Sequence, residues 1–294
     1  VEHDVGLTGI AAEQWPDHDW PAAEVLHGAF HVVMIPPGDD VVLRVVTGRG
    51  FDARCTREVG IVRTLAATIL PLPVPKLLAD PITTAEWSAY LVSRLPGRPL
   101  DTEDSDPVPT EDYRQILYGF AQLDPSRLAD LPTPRSWCGG DEWPGIVEHD
   151  LVPLLPPEAR QGALRAIDDL LAAELPASQT FCHGDFGPHN ILWQNRMPTG
   201  LIDCDHACLG DRAIDVAPLI SWHGVRALEA VFDRTLLRRA MTHRATLSLQ
   251  VAAAAHLVDS TALRDHALGN FTQRLESGRL YDPQGRQPAD LRPV

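Results

Sequence analysis

No apolar run in these 294 residues approaches the length of a membrane span. Val1 to Gly9 has neither a basic start nor an apolar core, so no signal peptide is visible and a cytoplasmic protein is expected. Basic residues are the scarcer charge, with 25 Lys and Arg against 40 Asp and Glu, for a formal net charge of −15. A nucleic-acid footprint would be basic, so that class of partner is excluded. An acidic field suits solubility and attracts cationic small molecules. The five cysteines are an odd number without the paired spacing of a disulfide framework, and they read as reduced thiols. Cys204, His206 and Cys208 alternate by two beside Cys182 and His183, which is not the spacing of a structural zinc site. Internal repeats and low-complexity tracts are absent.

Hydrophobic residues make up 44% and charged residues 22%, ordinary globular usage with ample material for a core. The informative stretch is Phe181 to Ala217, FCHGDFGPHNILWQNRMPTGLIDCDHACLGDRAIDVA. It reads as loop, strand, polar turn, strand, loop, with the turn over Gln194 to Gly200. Folding that hairpin brings Asp185 and Asn190 close to Asp203. An Asp, an Asn and a second Asp suit Mg²⁺, which takes oxygen ligands and keeps waters for substrate phosphates. Asn190 and Asp203 are the expected metal ligands. Asp185 remains free to accept the proton of an attacking hydroxyl, the division of labour that phosphoryl transfer needs.

HGDFGPHN, then Ile202-Asp203, Gly210-Asp211 and Asp215-Val216-Ala217, resembles the aminoglycoside phosphotransferase family. The resemblance implies an α+β, protein-kinase-like bilobal fold. A small antiparallel sheet with one main helix, residues 1–95, would bind nucleotide. A larger helical lobe, residues 96–294, would carry the catalytic loop and the acceptor site. Asp185 then matches the catalytic base, His183 the structural histidine of the loop, and Asp215 the residue tying the next helix to that loop. Asp205 is expected to face away along an extended segment. His189 is expected in solvent.

Taken in order, Val25 to Ile35 reads as strand, turn, strand with Gly28 at the turn, and Val41 to Val46 as a third strand. The resemblance makes the first hairpin the loop over the nucleotide phosphates, with Gly28 in it. Arg44, inside VVLRVV, would hold phosphates in place of the kinase lysine and pair with Glu58 on the helix Cys55 to Ile69. The alternative for Arg44 is an exposed strand position, and Glu58 also suits a helix N-terminus. Pro71 to Pro75 ends the helix. Leu77 and Leu78 start a strand, and Trp87 to Leu95 forms the next. Ser93 and Leu95 would contact the nucleotide base through main chain. Asp101 to Pro109 reads as a solvated acidic linker. Helices are expected from Thr110, over Glu158 to Leu175, and through Leu228 to Leu263. The tail, Tyr281 to Val294, is expected to fray.

Asp141, Glu142, Glu148 and Asp150 cluster with Trp137 and Trp143, and would suit a cationic, hydroxylated acceptor; the same composition also suits a plain packed loop or a helix with an acidic solvent face. The expected activity is O-phosphotransfer from ATP or GTP, with Mg²⁺, to a hydroxyl of a cationic antibiotic such as an aminoglycoside or basic peptide, giving resistance. A macrolide or small-metabolite kinase is the next choice. A nucleotide- or drug-binding module without turnover stays open because of Arg44, and a metal-dependent hydrolase is a third class.

Overall fold

The computed structural model describes residues 2–100, 108–174 and 178–291; the side chains of 2–5 are outside it. Most of the expected acidic linker, 101–107, lies outside the described residues. Helix α1 (Glu2–Gln14) leads to β1 (Glu24–His27), β2 (His31–Ile35) and β3 (Val41–Thr47). Helix α2 (Phe51–Ala66) follows, then β4 (Ile82–Thr83) and β5 (Trp87–Ser93). These strands form one antiparallel sheet in the order β1-β2-β3-β5-β4. Leu77 contributes only an isolated bridge to Val92, so the strand expected at Leu77 and Leu78 is not formed.

Strand alternation divides the sheet into two faces. Met34, Leu43, Val45, Ala89 and Leu91 pack with Ala11 and Trp20 on the α1 side. Val46, Tyr90 and Val92 pack with Cys55, Val59 and Val62 on the α2 side. Each such buried aliphatic side chain contributes about 1.5–3 kcal/mol. Arg44 lies between Leu43 and Val45 and opposite Tyr90, so the alternation turns it to the α2 face. Its guanidinium carbon sits 5.9 Å from the Tyr90 ring centre.

The remaining chain is mostly helical. In order come α3 (Thr110–Ala121), the short α4 (Trp143–Ile146) running into a π-helical turn Val147–Leu151, and α5 (Pro157–Glu174). The central stretch supplies β6 (Gln179–Cys182), β7 (Ile191–Gln194), β8 (Met197–Leu201) and β9 (Cys208–Asp211). Then follow α6 (Ala213–His223), the single turn α7 (Val225–Leu228), α8 (Arg234–Leu257) and α9 (Thr261–Glu276). Among the described residues no helix is long and apolar enough to cross a membrane.

The hairpin turn is tighter than its breakers suggest. Only Asn195 and Arg196 adopt positive φ, 50° and 64°, and Pro198 and Gly200 lie inside β8. A register shift at Leu192/Trp193 accommodates Pro198, as expected of proline in a sheet. The last described residues do not fray. Asp282 is fully buried and accepts the Val225 N–H at 2.9 Å, Arg286 grips Glu229 through both terminal nitrogens, and Leu291 is buried. Hydrogen bonds to the start of α7 and to Glu229 after it hold a segment whose composition reads as a loop.

Candidate active site

Strand β6 ends at Cys182, and the loop that follows is built around a buried acid. Asp215, in the first turn of α6, accepts the N–H of His183 at 2.9 Å and of Gly184 at 2.8 Å. Burial pushes its carboxyl up to about 7, against the pull of those two N–H donors. Gly184 has φ 90°, and a Cβ there would lie 2.1 Å from the His206 carbonyl oxygen, so only glycine fits. His183 is fully buried and its Nε2 bonds the Ile202 carbonyl at 3.0 Å. Burial holds its imidazole below the usual value, which keeps it neutral.

This frame brings the three expected residues together. Ile202 N–H donates to the Asn190 carbonyl at 3.0 Å, so Asp203 leaves β8 beside Asn190. Asn190 Nδ2 donates to the Asp185 carbonyl at 2.9 Å and to its carboxylate at 3.0 Å. With its nitrogen spent there, the amide oxygen faces the other way, as a hard-cation ligand requires. Burial raises the Asp185 carboxyl, but the hydrogen bond from His189 opposes it, and the group stays ionised. Asp203 adopts the left-handed region, φ 59°, which Asp tolerates better than most residues, and its side chain is half exposed. Burial works to raise its carboxyl, yet Arg44 and His206 hold it well below the usual carboxylate range.

The left-handed turn at Asp203 redirects the chain into a 3₁₀ turn, Cys204–His206. Asp205 therefore does not face away, as an extended segment would have it. It is buried and bonds the Arg44 guanidinium directly. Arg44 Nη2 also donates to Asp203 at 2.9 Å. Burial, with the charges of Glu58 and Asp203, pushes Asp205 well above the carboxylate range despite Arg44. Two adjacent acids on one guanidinium thus separate into a low and a high member.

The expected ion pair between Arg44 and Glu58 is not made. Glu58 is buried on α2, and its Oε2 accepts from Tyr90 at 3.2 Å and sits 2.9 Å from His31 Nε2. Burial raises Glu58, and the His31 hydrogen bond with the Arg44 and Arg57 charges brings it below its ordinary value. The sheet's arginine has reached past the helix acid to the acids of the hairpin, and His31 has taken its place. Arg44 Nε is buried without a hydrogen-bond partner among the described residues. That orphaned donor, on a guanidinium that also reaches Asp203, suits a phosphate group.

Gly28 closes the β1–β2 turn, its N–H donating to the His31 carbonyl at 2.8 Å. The turn's Phe30 packs against the helical lobe's core, and its carbonyl accepts from Arg54 at 3.4 Å. Ser93 spends its N–H on the Lys76 carbonyl at 2.8 Å, so only its carbonyl could serve a nucleotide base. Leu95 N–H and carbonyl bond no other described residue. Trp137 stacks on His206, 4.0 Å between centres and 12° between planes, which draws part of the Trp-rich loop to the site. Asp141, Glu142, Glu148 and Asp150 are exposed instead, and no hydrogen bond or ion pair joins them to Asp185, Asn190 or Asp203. Asp150 lies 3.8 Å from His256 on α8. The approach of His31 to Asp205, 3.6 Å, was not foreseen, because nothing in their spacing shows that the two segments meet.

Known proteins share this fold. The curated hygromycin-B 4-O-kinase of Escherichia coli is 26% identical over 168 residues, covering 51% of this chain. The chain spans about half the length of that relative, 48%. The GDP and kanamycin complex of APH(2")-IIia superposes with TM-score 0.72 at 15% identity, covering 93% of this chain and 99% of that one. The macrolide 2'-phosphotransferase MphH of Brachybacterium faecium does so with TM-score 0.59 at 21% identity, covering 90% and 97%. These structures share the kinase-like α+β fold. The model of the phosphotransferase enzyme family matches residues 20–249, the sheet, the hairpin and most of α8 together, and the chain belongs to that family.

Proposed function

We propose that this chain transfers the terminal phosphoryl group of a nucleoside triphosphate to a hydroxyl of a cationic small molecule, an aminoglycoside-type antibiotic first. The observation that carries the reading is the Asp185–Asn190–Asp203 constellation, with one carboxylate fixed by an amide and the other facing Arg44. Asp185 accepts the acceptor's hydroxyl proton as the new O–P bond forms. The bond from phosphorus to the bridging oxygen breaks, and the nucleoside diphosphate leaves with that electron pair. Positioning matters more than basicity, because the transition state is loose. Arg44, with its unpartnered Nε, holds phosphate oxygens. Asn190 and Asp203 would hold Mg²⁺, which supplies neutralisation of phosphate charge.

The net charge of −15 favours a cationic acceptor, as does the relative named for hygromycin B. The test is nucleotide consumption with ATP or GTP and Mg²⁺ against hygromycin B, kanamycin, a macrolide and small hydroxylated metabolites. Phosphorylated antibiotic is the expected product, and a cell expressing the chain should then tolerate that antibiotic. A product only with macrolides or metabolites would move the acceptor class. Binding without turnover, or acceptor-independent hydrolysis as the sole activity, would overturn the reading.

A further inference from the structure

Residue 187 has no side chain, and the space beside it is filled. A Cβ on Gly187 would lie 2.4 Å from Cε1 and 2.6 Å from Nδ1 of His189. The imidazole folds back over its own loop, and its Nε2 lies 3.4 Å from Asp185 Oδ2. Asn190 Nδ2 reaches that same oxygen at 3.0 Å, so imidazole and amide hold the carboxylate together. The His189 ring also meets Trp222, with centres 5.6 Å apart and planes tilted by 31°. Trp222 is 44% exposed, a large indole left open to solvent at the end of α6.

Its neighbours aim this indole. His223 turns inward, stacks on Tyr113 at 5.7 Å and bonds its hydroxyl at 3.3 Å. Successive helix residues point about 100° apart, so Trp222 is turned off that buried direction. Beyond the helix, the Asp282 bond to Val225 N–H and the close approach of Gln284 to Gly224 clamp the end of α6. A row results: exposed indole, tilted imidazole, carboxylate. Indole faces offer apolar area to the C–H face of a sugar ring and attract ammonium groups through the ring quadrupole. The sugar's edge hydroxyls would then point along the row.

We propose that Trp222 and His189 form the floor of the acceptor site, that this floor takes an amino-sugar ring, and that His189, seated beside Gly187, is a positioning residue for Asp185. The proposal rests on the phosphotransferase reading and assigns its acceptor surface to α6 and the catalytic loop rather than to the acids of 141–150.

The test titrates the full chain, loaded with Mg²⁺ and a non-hydrolysable triphosphate, with hygromycin B and with kanamycin by calorimetry. Trp222→Ala should weaken binding about tenfold or more and Trp222→Phe less, both with unchanged nucleotide Kd. Equal affinity in Trp222→Ala, or no binding of either amino sugar to wild type, overturns the floor. The wider reading falls separately, on the absence of any phosphorylated product across the acceptor panel. His189→Ala and Gly187→Ala should lower kcat by the same factor without raising the nucleotide KM, because the new Cβ displaces the ring. Turnover is read as nucleotide consumption, on an acceptor or on water. Full turnover in Gly187→Ala, or in His189→Ala, overturns the positioning role.

Discussion

Two groups of acids in this protein are alike in composition and unlike in surroundings. Asp141, Glu142, Glu148 and Asp150 stand exposed on the segment around α4. Glu58, Asp185, Asp203 and Asp205 converge between the sheet and the β7–β8 hairpin, each within hydrogen-bonding reach of a named partner. The first group spreads its charge into water, where it is screened. The second meets one arginine and several histidines, with Glu58 and Asp205 buried and Asp185 and Asp203 partly covered, so each charge alters its neighbours. The sequence shows both only as acidic letters spaced among other residues. Their chemistry differs because desolvation, not charge count, sets the strength of an electrostatic contact.

The largest effect expected from the inner group is catalytic. Asp185→Ala should lower kcat by roughly 10²- to 10⁴-fold, the share general-base catalysis contributes. Asp203→Ala should abolish Mg²⁺-dependent turnover while the fold remains. Steady-state kinetics with nucleotide and acceptor varied in turn is the check, and wild-type turnover in either variant would remove the distinction between the groups.

Next comes the cation at their centre. Arg44→Ala leaves Asp205 and Asp203 without their guanidinium, and losing one partner of a buried pair costs roughly 3 kcal/mol. Asp205 already sits well above the carboxylate range, so the pH dependence of this cost comes from Asp203, whose pairing counts in full at neutral pH and fades only as pH falls below about 4. Urea unfolding at pH 8 and at about pH 3.5 reads this directly. A variant as stable as wild type at pH 8 would mean that solvent already serves these acids.

A smaller effect belongs to His206. Burial pushes its imidazole down to about 4, while an unfolded chain holds a histidine near 6.5. Between those values the unfolded state binds the extra proton, so the stability is whole above pH 6.5 and falls as pH drops toward 4. Allowing for partial exposure, the loss is about 1–2 kcal/mol. His206→Phe keeps a ring on Trp137 and should flatten part of this slope in melting curves taken from pH 7 to 4.5. His183, also held neutral by burial, leaves a remainder.

The smallest effect belongs to the outer group. Neutralising Asp141, Glu142, Glu148 and Asp150 to their amides should change stability by no more than about 0.5 kcal/mol each. A large rise in the acceptor KM of that variant would show that these acids steer the acceptor, and would erase the contrast drawn here.

The HGDFGPHN and IDCD segments made the hairpin and the neighbourhood of Asp185, Asn190 and Asp203 legible before any coordinates, because those contacts are local, while the α+β class came with the family resemblance. The roles of His183 and Asp215 also came with the resemblance, and the bonds from the His183 and Gly184 N–H groups to Asp215 fit them. The ion pairing of Arg44 was not legible. Its partner depends on how the sheet sits over the hairpin, on a register that pairs Arg44 with Tyr90, and on a left-handed residue at Asp203. Asp205 was misjudged for the same reason, since one positive φ turned an expected extended segment into a 3₁₀ turn. The C-terminal segment was misjudged because a buried Asp282 has meaning only beside α7.

From its letters alone this chain showed a resemblance to a family, carried by its motifs, and a hairpin with the residue types at its base, since short-range periodicity and turn chemistry act within a few residues. Which cation faces which acid, which histidine supports Asp185, and which aromatic lies open beside it were decided by the packed fold. Burial and distance between remote segments set those pairings, and neither quantity is carried by the order of residues along the chain.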